Sequence, residues 1–236
     1  MVNAVIFDID GTLVDSVDLH ARAWQEALAH FGHRLPYDRI RGQIGKGGDQ
    51  LIPALLPPDE ARRIGPTLED YRSDLYKRVF LPRVRAFPHV RDLFLRLRDD
   101  GVRTALASSA KGEELAAYKR IAQIEDLLSA ETSADDADRS KPYPDIFAAA
   151  LSRLVGADAD HSVVVGDSPY DVQAARKLGL RTLGVLSGGF TAAELKRAGA
   201  VGLYEDPADL LARYNSWRSA MPPVRAERYS PSAWHR

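Results

Sequence analysis

Val5-Ile6-Phe7-Asp8-Ile9-Asp10-Gly11-Thr12-Leu13 decides how the rest of the chain is read. Val5-Ile6-Phe7 is a short apolar run of strand length, and it ends on an acid. Alternation along extended backbone puts Asp8 and Asp10 on the same side of the chain. Gly11 permits the turn that follows. One acid past a strand end reads as a solubilising edge or a helix cap. Two at this spacing, followed by Gly-Thr, form a paired-carboxylate arrangement.

Three runs downstream repeat the pattern. Thr104-Ala105-Leu106-Ala107 ends at Ser108 and Ser109, Ser162-Val163-Val164-Val165 at Gly166 and Asp167, and 181–186 at Ser187-Gly188-Gly189. Helical spacing of apolar residues lies between them, at 90–97 with Gly101 as a stop, and at 112–121, 143–154, 169–178 and 191–198. Strands alternating with helices, each strand apolar throughout, predict an α/β fold: a parallel sheet with helices on both faces. A weaker strand is expected near 127–130. Residues 17–86 break the alternation, with helix patterns at 17–31, 47–55 and 59–79 and no strand pattern. They predict an inserted all-helical unit above the strand ends, leaving 1–16 and 87–236 as the core. The tail from Asn215, with Pro222, Pro223 and Pro231, has no clear period and reads as a surface strap or a loosely ordered end.

The bulk numbers exclude several classes. The chain has 236 residues, 45% hydrophobic and 28% charged, as in ordinary soluble domains. Its net charge of −1 gives no global field for nucleic acid or an anionic membrane. With no cysteine, disulfides, thiolate zinc sites and cysteine nucleophiles are absent, which fits a cytoplasmic location. The N-terminus has no basic leader, and no apolar stretch approaches the roughly 20 residues that span a bilayer.

In open parallel sheets the ligand crevice lies beyond the carboxyl ends of the strands. That rule gathers Asp8, Asp10, Ser108, Ser109, Lys141 and Asp167 in one place. Each has a plain reading by itself. Ser108-Ser109 can cap the following helix. Lys141, directly before Pro142, suits a helix's first turn, where a local anion would rationalise its charge. Asp167 can be an N-cap and Asp171 a first-turn dipole partner. Together they say more. Crowded carboxylates need a cation, and an all-oxygen donor set suits Mg²⁺. A hydroxyl and a lysine at the same crevice suit a phosphate, and a carboxylate can attack it.

In this order, Asp8-Ile9-Asp10-Gly11-Thr12, Ser108, Lys141 and Gly166-Asp167-Ser168-Pro169-Tyr170-Asp171 resemble the four motifs of the haloacid dehalogenase superfamily. The likeness runs from Val5 to about Arg213. The helical insert resembles the cap of the subfamily that contains phosphoglycolate phosphatase and β-phosphoglucomutase. The resemblance implies a Rossmann-like core and a mobile helical cap. It implies Asp8 as nucleophile, Asp10 as general acid and then base, and Ser108, Ser109 and Lys141 as holders of the phosphoryl oxygens. It implies Mg²⁺ held by Asp8, the Asp10 carbonyl and Asp167, with Asp171 close by. Dehalogenases lack the second aspartate of the first motif, so Asp10 favours phosphate chemistry.

Within the insert, His20-Ala21-Arg22-Ala23-Trp24 is similar to a run in β-phosphoglucomutase. His20 would then face the leaving hydroxyl, or else be an interfacial histidine without chemistry, and Trp24 would be cap core. In Gly42–Gly48, Lys46 either reaches down to substrate or lies on a plain turn. The loop follows no strand and no Ser or Thr follows Lys46, so it is no nucleotide fingerprint. The expected function is Mg²⁺-dependent hydrolysis of a small phosphomonoester, a sugar phosphate or a phosphoglycolate-like acid. The alternative is a phosphosugar mutase, and more remotely a non-catalytic regulatory member. Gly166 stands where β-phosphoglucomutase has a glutamate, which favours the hydrolase. The expected partner is a small phosphorylated metabolite rather than nucleic acid or membrane, and the chain is expected to be a monomer or homodimer.

Overall fold

The computed structural model describes residues 1–220. Six parallel strands form one sheet: β1 (Ala4–Phe7), β4 (Arg103–Ala107), β5 (Ala130–Thr132), β6 (Ser162–Gly166), β7 (Arg181–Val185) and β8 (Gly202–Tyr204), in the order β5-β4-β1-β6-β7-β8. The fold is therefore the expected Rossmann-like α/β core. β1 lies between β4 and β6, with Phe7 level with Leu106 on one side and Val165 on the other. The chain order reverses at β1, so the crevice beyond its end is the sheet's switch point. Side chains alternate across the sheet. Val5, Phe7, Leu106, Val163 and Val165 enter one core, and Ala4, Ile6, Ala105 and Val164 enter another. Burial on both faces is why these strands are apolar throughout.

Five helices flank the sheet: α5 (Val90–Asp99), α6 (Gly112–Ala122), α7 (Asp145–Arg153), α8 (Pro169–Arg176) and α9 (Ala192–Ala198). The insert is built from α1 (Val17–His30), α2 (Tyr37–Arg41), α3 (Gly48–Leu55) and α4 (Pro58–Leu75) around a core of its own that includes Trp24, Ile40, Leu51 and Leu68. Past α4 the helix widens into a π turn over Tyr76–Phe80 and a 3-10 turn over Leu81–Arg83, where the spacing predicts a single helix over 59–79. The insert's ends are joined by a short antiparallel pair, β2 (Val14–Asp15) with β3 (Arg85–Ala86), which two residues per strand are too few to signal in sequence.

Two other expectations change. The weak strand near 127–130 is a 3-10 turn at Glu125–Leu127 followed by β5. The tail after Asn215 begins as a helix, α11 (Tyr214–Ala220), that follows α10 (Pro207–Ala212). Trp217 is buried, its Nε1 donates to Leu210 O at 2.9 Å, and its ring meets Tyr214 edge-on at 5.1 Å. Two aromatic residues three apart suffice to dock one helical turn, but they are too few to show a period. The tail's three prolines lie outside the described residues.

Candidate active site

Asp8 emerges from β1 into the switch-point crevice and is 6% exposed. Its Oδ2 accepts from Thr12 Oγ1 at 3.1 Å, and its Oδ1 pairs with Lys141 Nζ. The same ammonium lies 2.7 Å from Asp171 Oδ1 and 3.3 Å from Ala107 O. Asp167 follows β6, and carboxylate oxygens of Asp8, Asp167 and Asp171 lie within 4.8 Å of one another. One lysine thus pairs with two of three buried, converging acids. Burial, with Asp171 and Asp10 adding to it against Lys141, pushes Asp8 up to about 7. Burial and the charges of Asp171 and Asp8 raise Asp167 well above the carboxylate range. Burial disfavours the Lys141 charge, but the attraction of Asp171 and Asp8 outweighs it and raises the lysine's pKa. Asp167 Oδ1 is buried and has no hydrogen-bond partner.

Lys141 is not in a helix's first turn, as its place before Pro142 suggested. Pro142 and Pro144 disfavour helical backbone at the residues before them, so α7 starts only at Asp145. The anions beside Lys141 are Asp8 and Asp171. Asp171 serves twice: its Oδ2 accepts from Ser168 N at 3.0 Å and Ser168 Oγ at 2.6 Å, closing a capping box on α8, and its Oδ1 faces Lys141. Ser168, rather than Asp167, is the N-cap. Ser108 is buried and its Oγ accepts from Ala110 N at 3.0 Å, whereas the N-cap of α6 is Lys111. Ser109 lines the cavity described below.

The Asp10 side chain turns away from the three acids and into a second cluster. Its Oδ1 accepts from Ser16 Oγ at 2.5 Å and lies 3.0 Å from His20 Nε2. His20 stacks on Tyr76 at 3.9 Å, and its Nε2 is also 3.0 Å from Tyr118 Oη. Tyr118 donates its one proton to Glu114 Oε1 at 3.0 Å and lies 2.7 Å from Tyr76 Oη. With the Tyr118 proton donated to Glu114 and the Asp10 carboxylate only accepting, His20 Nε2 must carry a proton, which the Asp10 and Tyr118 oxygens share. Burial raises the Asp10 pKa, but the His20 charge and the bonds from His20 and Ser16 outweigh it, and the net shift is downward. His20 borders the cavity, yet its Nε2 is taken by Asp10 and Tyr118.

Both clusters open into a cavity of 130 Å³ between core and insert. Lys46 and Trp24 line it. Lys46 Nζ donates to Gln43 Oε1 at 2.6 Å and sits 4.7 Å over the Tyr170 ring, and Trp24 also belongs to the insert's core. Arg22 is exposed, lies over Tyr37 at 5.7 Å and does not reach the cavity. Further hydrogen bonds that join insert and core include Tyr170 Oη to Gly42 O at 2.6 Å, Arg41 Nη2 to Gly188 O at 2.6 Å, and Ser140 N to Asp49 Oδ2 at 3.1 Å.

Thr12, Tyr76, Glu114, Tyr118 and Gly188 do not stand out in the sequence as site residues. Glu114 and Tyr118 carry a faint signal, being one helical turn apart on a largely buried helix face. Gly188 stands past the end of β7, at the same edge of the sheet as the acids, and a Cβ there would overlap the Asp167 carboxylate.

The sequence profile of the haloacid dehalogenase-like hydrolases matches residues 5–185. The chain belongs to this family. Its relatives include a phosphorylated carbohydrates phosphatase of Thermotoga maritima, 29% identical over 89% of this chain and 97% of that one. A phosphoglycolate phosphatase of Nitrosospira multiformis is 33% identical over 75% of this chain and 80% of its own. Among solved structures, a hydrolase from Pseudomonas syringae has a TM-score of 0.82 and 32% identity, covering 91% of this chain and 98% of its own. The likeness thus reaches the capped branch of the family that the motifs suggested. Asp8, Asp10, Asp167 and Asp171 all fall within the matched residues of this haloacid dehalogenase-like hydrolase.

Proposed function

We propose that this hydrolase cleaves small phosphomonoesters with Mg²⁺, through a phosphorylated Asp8. The observation that carries the reading is the surroundings of Asp8: a buried carboxylate at the head of a cavity, three converging acids of which one lysine pairs with two, and a second acid two residues on in a separate hydrogen-bonded cluster. The residues fit a hard cation. Three carboxylates converge, Asp167 Oδ1 lacks a partner, and the shared lysine leaves negative charge uncompensated. Asp8 and Asp167 would hold Mg²⁺, with the Asp10 carbonyl contributing and Asp171 close by. The ion would withdraw charge from the transferring phosphoryl group.

In the first step an Asp8 oxygen forms a bond to phosphorus and the bond to the leaving oxygen breaks, and Asp10, which rests ionised beside His20 and must first take up a proton, passes that proton to the leaving oxygen. In the second, Asp10 takes a proton from water, the water oxygen bonds to phosphorus, and the Asp8–phosphorus bond breaks. Lys141, Ser108 and Ser109 would hold the phosphoryl oxygens. Thr12 orients Asp8, while Ser16 and His20 orient Asp10. The insert would act as the cap that closes over the substrate, in a cytoplasmic enzyme.

The test is phosphate release from a panel of sugar phosphates, phosphoglycolate, pyrophosphate and an aryl phosphate, with and without Mg²⁺. Turnover of at least one ester, strictly dependent on the ion, is expected. β-Glucose 1-phosphate with catalytic glucose 1,6-bisphosphate separates hydrolase from mutase, and free phosphate should exceed glucose 6-phosphate. Gly188→Ala should raise the Mg²⁺ concentration for half-maximal activity about tenfold, because the new methyl displaces Asp167. An unchanged Mg²⁺ titration would remove Asp167 from the metal site.

A further inference from the structure

The insert's side of the cavity includes α4, where Glu69 and Arg72 are three residues apart and both line the cavity. The Arg72 guanidinium lies 4.8 Å over the Trp24 ring, and its Nε is buried without a hydrogen-bond partner. Glu69 packs on α3, where a Cβ on Gly48 would come within 2.5 Å of its carboxylate. Among the described residues it makes no hydrogen bond or ion pair. The same helix pairs Arg62 with Asp59 and Arg63 with Glu60 at this spacing. Glu69 and Arg72 are instead left unpaired, one as acceptor and the other as donor, on the wall that the leaving group must meet.

The charge of that wall selects the ligand. Away from Asp8 and Asp10 it carries three carboxylates, Asp49, Glu69 and Glu114, against three cations, Lys46, Arg72 and Lys111. A second phosphate or a carboxylate would have to lie beside Glu69 with no net positive charge to hold it. A polyhydroxylated, uncharged group satisfies both partners, since its hydroxyls donate to the carboxylate and accept from the guanidinium. Glu69 also borders a wider groove of 540 Å³ between α3 and α4, which shares Gly48, Asp49 and Lys111 with the cavity. It therefore stands where the leaving group extends outward.

We propose that Glu69 and Arg72 form the subsite that reads the hydroxyls of the leaving group, and that the substrate is a sugar or polyol monophosphate. This rests on the phosphomonoesterase reading above and selects one of its two substrate classes. It is tested by kcat/KM with Mg²⁺ for a hexose monophosphate, a pentose monophosphate, phosphoglycolate and p-nitrophenyl phosphate. The enzymes compared are wild type, Glu69→Gln and Arg72→Lys, with thermal melts to check folding. Wild type should favour a sugar monophosphate over phosphoglycolate by about tenfold or more. Glu69→Gln should shrink that preference about tenfold, because the amide no longer repels a carboxylate. Arg72→Lys should cost the sugar phosphates about tenfold more than the aryl phosphate, because an ammonium cannot reproduce the planar fork of donors. Unchanged ratios in both variants, or a wild type that prefers phosphoglycolate, would overturn the subsite. Calorimetric binding of the hexose monophosphate to Asp8→Asn, with and without Glu69→Gln, needs no turnover. Weaker binding in the double variant supports the subsite and equal binding sinks it. Failure to release phosphate even from the aryl ester would defeat the phosphatase reading instead.

Discussion

Asp8→Asn is expected to lower phosphate release by about 10⁴-fold or more on every ester, the scale seen when a covalent nucleophile is removed. The amide is nearly isosteric but cannot form the acyl phosphate. Folding should survive. Lys141 keeps Asp171 at 2.7 Å, and Thr12 can still donate to the amide oxygen. Replacing Asp8 also removes one of three crowded acids, a carboxylate that burial already pushes up to about 7. The thermal melt should therefore stay level or rise. Activity and melts of both proteins decide the matter. Turnover within a hundredfold of wild type would exclude Asp8 as the nucleophile.

Asp8 is legible in the sequence because its signal is local. An apolar strand of four residues ending in acid is visible at a glance, and the parallel sheet then dictates where such ends meet. Asp167 is visible the same way, from β6. Lys141 is harder to place. Pro142 alone suggests a helix start there, but Pro144 delays the helix to Asp145. The side-chain partners are out of reach. That His20 meets Asp10 on one side and Tyr118 on the other depends on how α1 crosses α6, and no spacing within either helix encodes that crossing. Tyr76 reaches His20 from a π turn, whose extra residue per turn breaks the period used to find helix faces. Gly188 escapes notice for a similar reason: a glycine in a Ser-Gly-Gly run reads as flexibility, whereas here it makes room for a carboxylate that comes from another strand.

Without a bound cation, stability should depend on pH in a direction opposite to the usual carboxylate case. A salt-bridged acid lowers its pKa on folding, and its stabilisation grows as pH rises. Here burial raises Asp8 from 3.8 to about 7 and lifts Asp167 as well, so the folded metal-free protein binds protons that the unfolded chain has released. Their contribution is complete below the ordinary carboxylate pKa and is lost as pH rises through about 7. Lys141 is raised from a value already above this range, so it stays charged and adds no slope. A tenfold difference in proton affinity between folded and unfolded chain is worth about 1.4 kcal/mol, and the buried acids share their protons. A loss on the order of a few kcal/mol is therefore expected between about pH 5 and pH 8. In a chain of this size that is about 5 °C or more in melting temperature. Mg²⁺ binds the ionised acids, so it should restore stability at pH 8 and add little at pH 5. Melts of EDTA-treated protein across this range, repeated with Mg²⁺ and with Asp8→Asn, test each part. The variant has lost one of the titrating acids and should show a shallower slope. Metal-free protein as stable at pH 8 as at pH 5, with no gain from Mg²⁺ at the higher pH, would mean that the three acids are not the cation site.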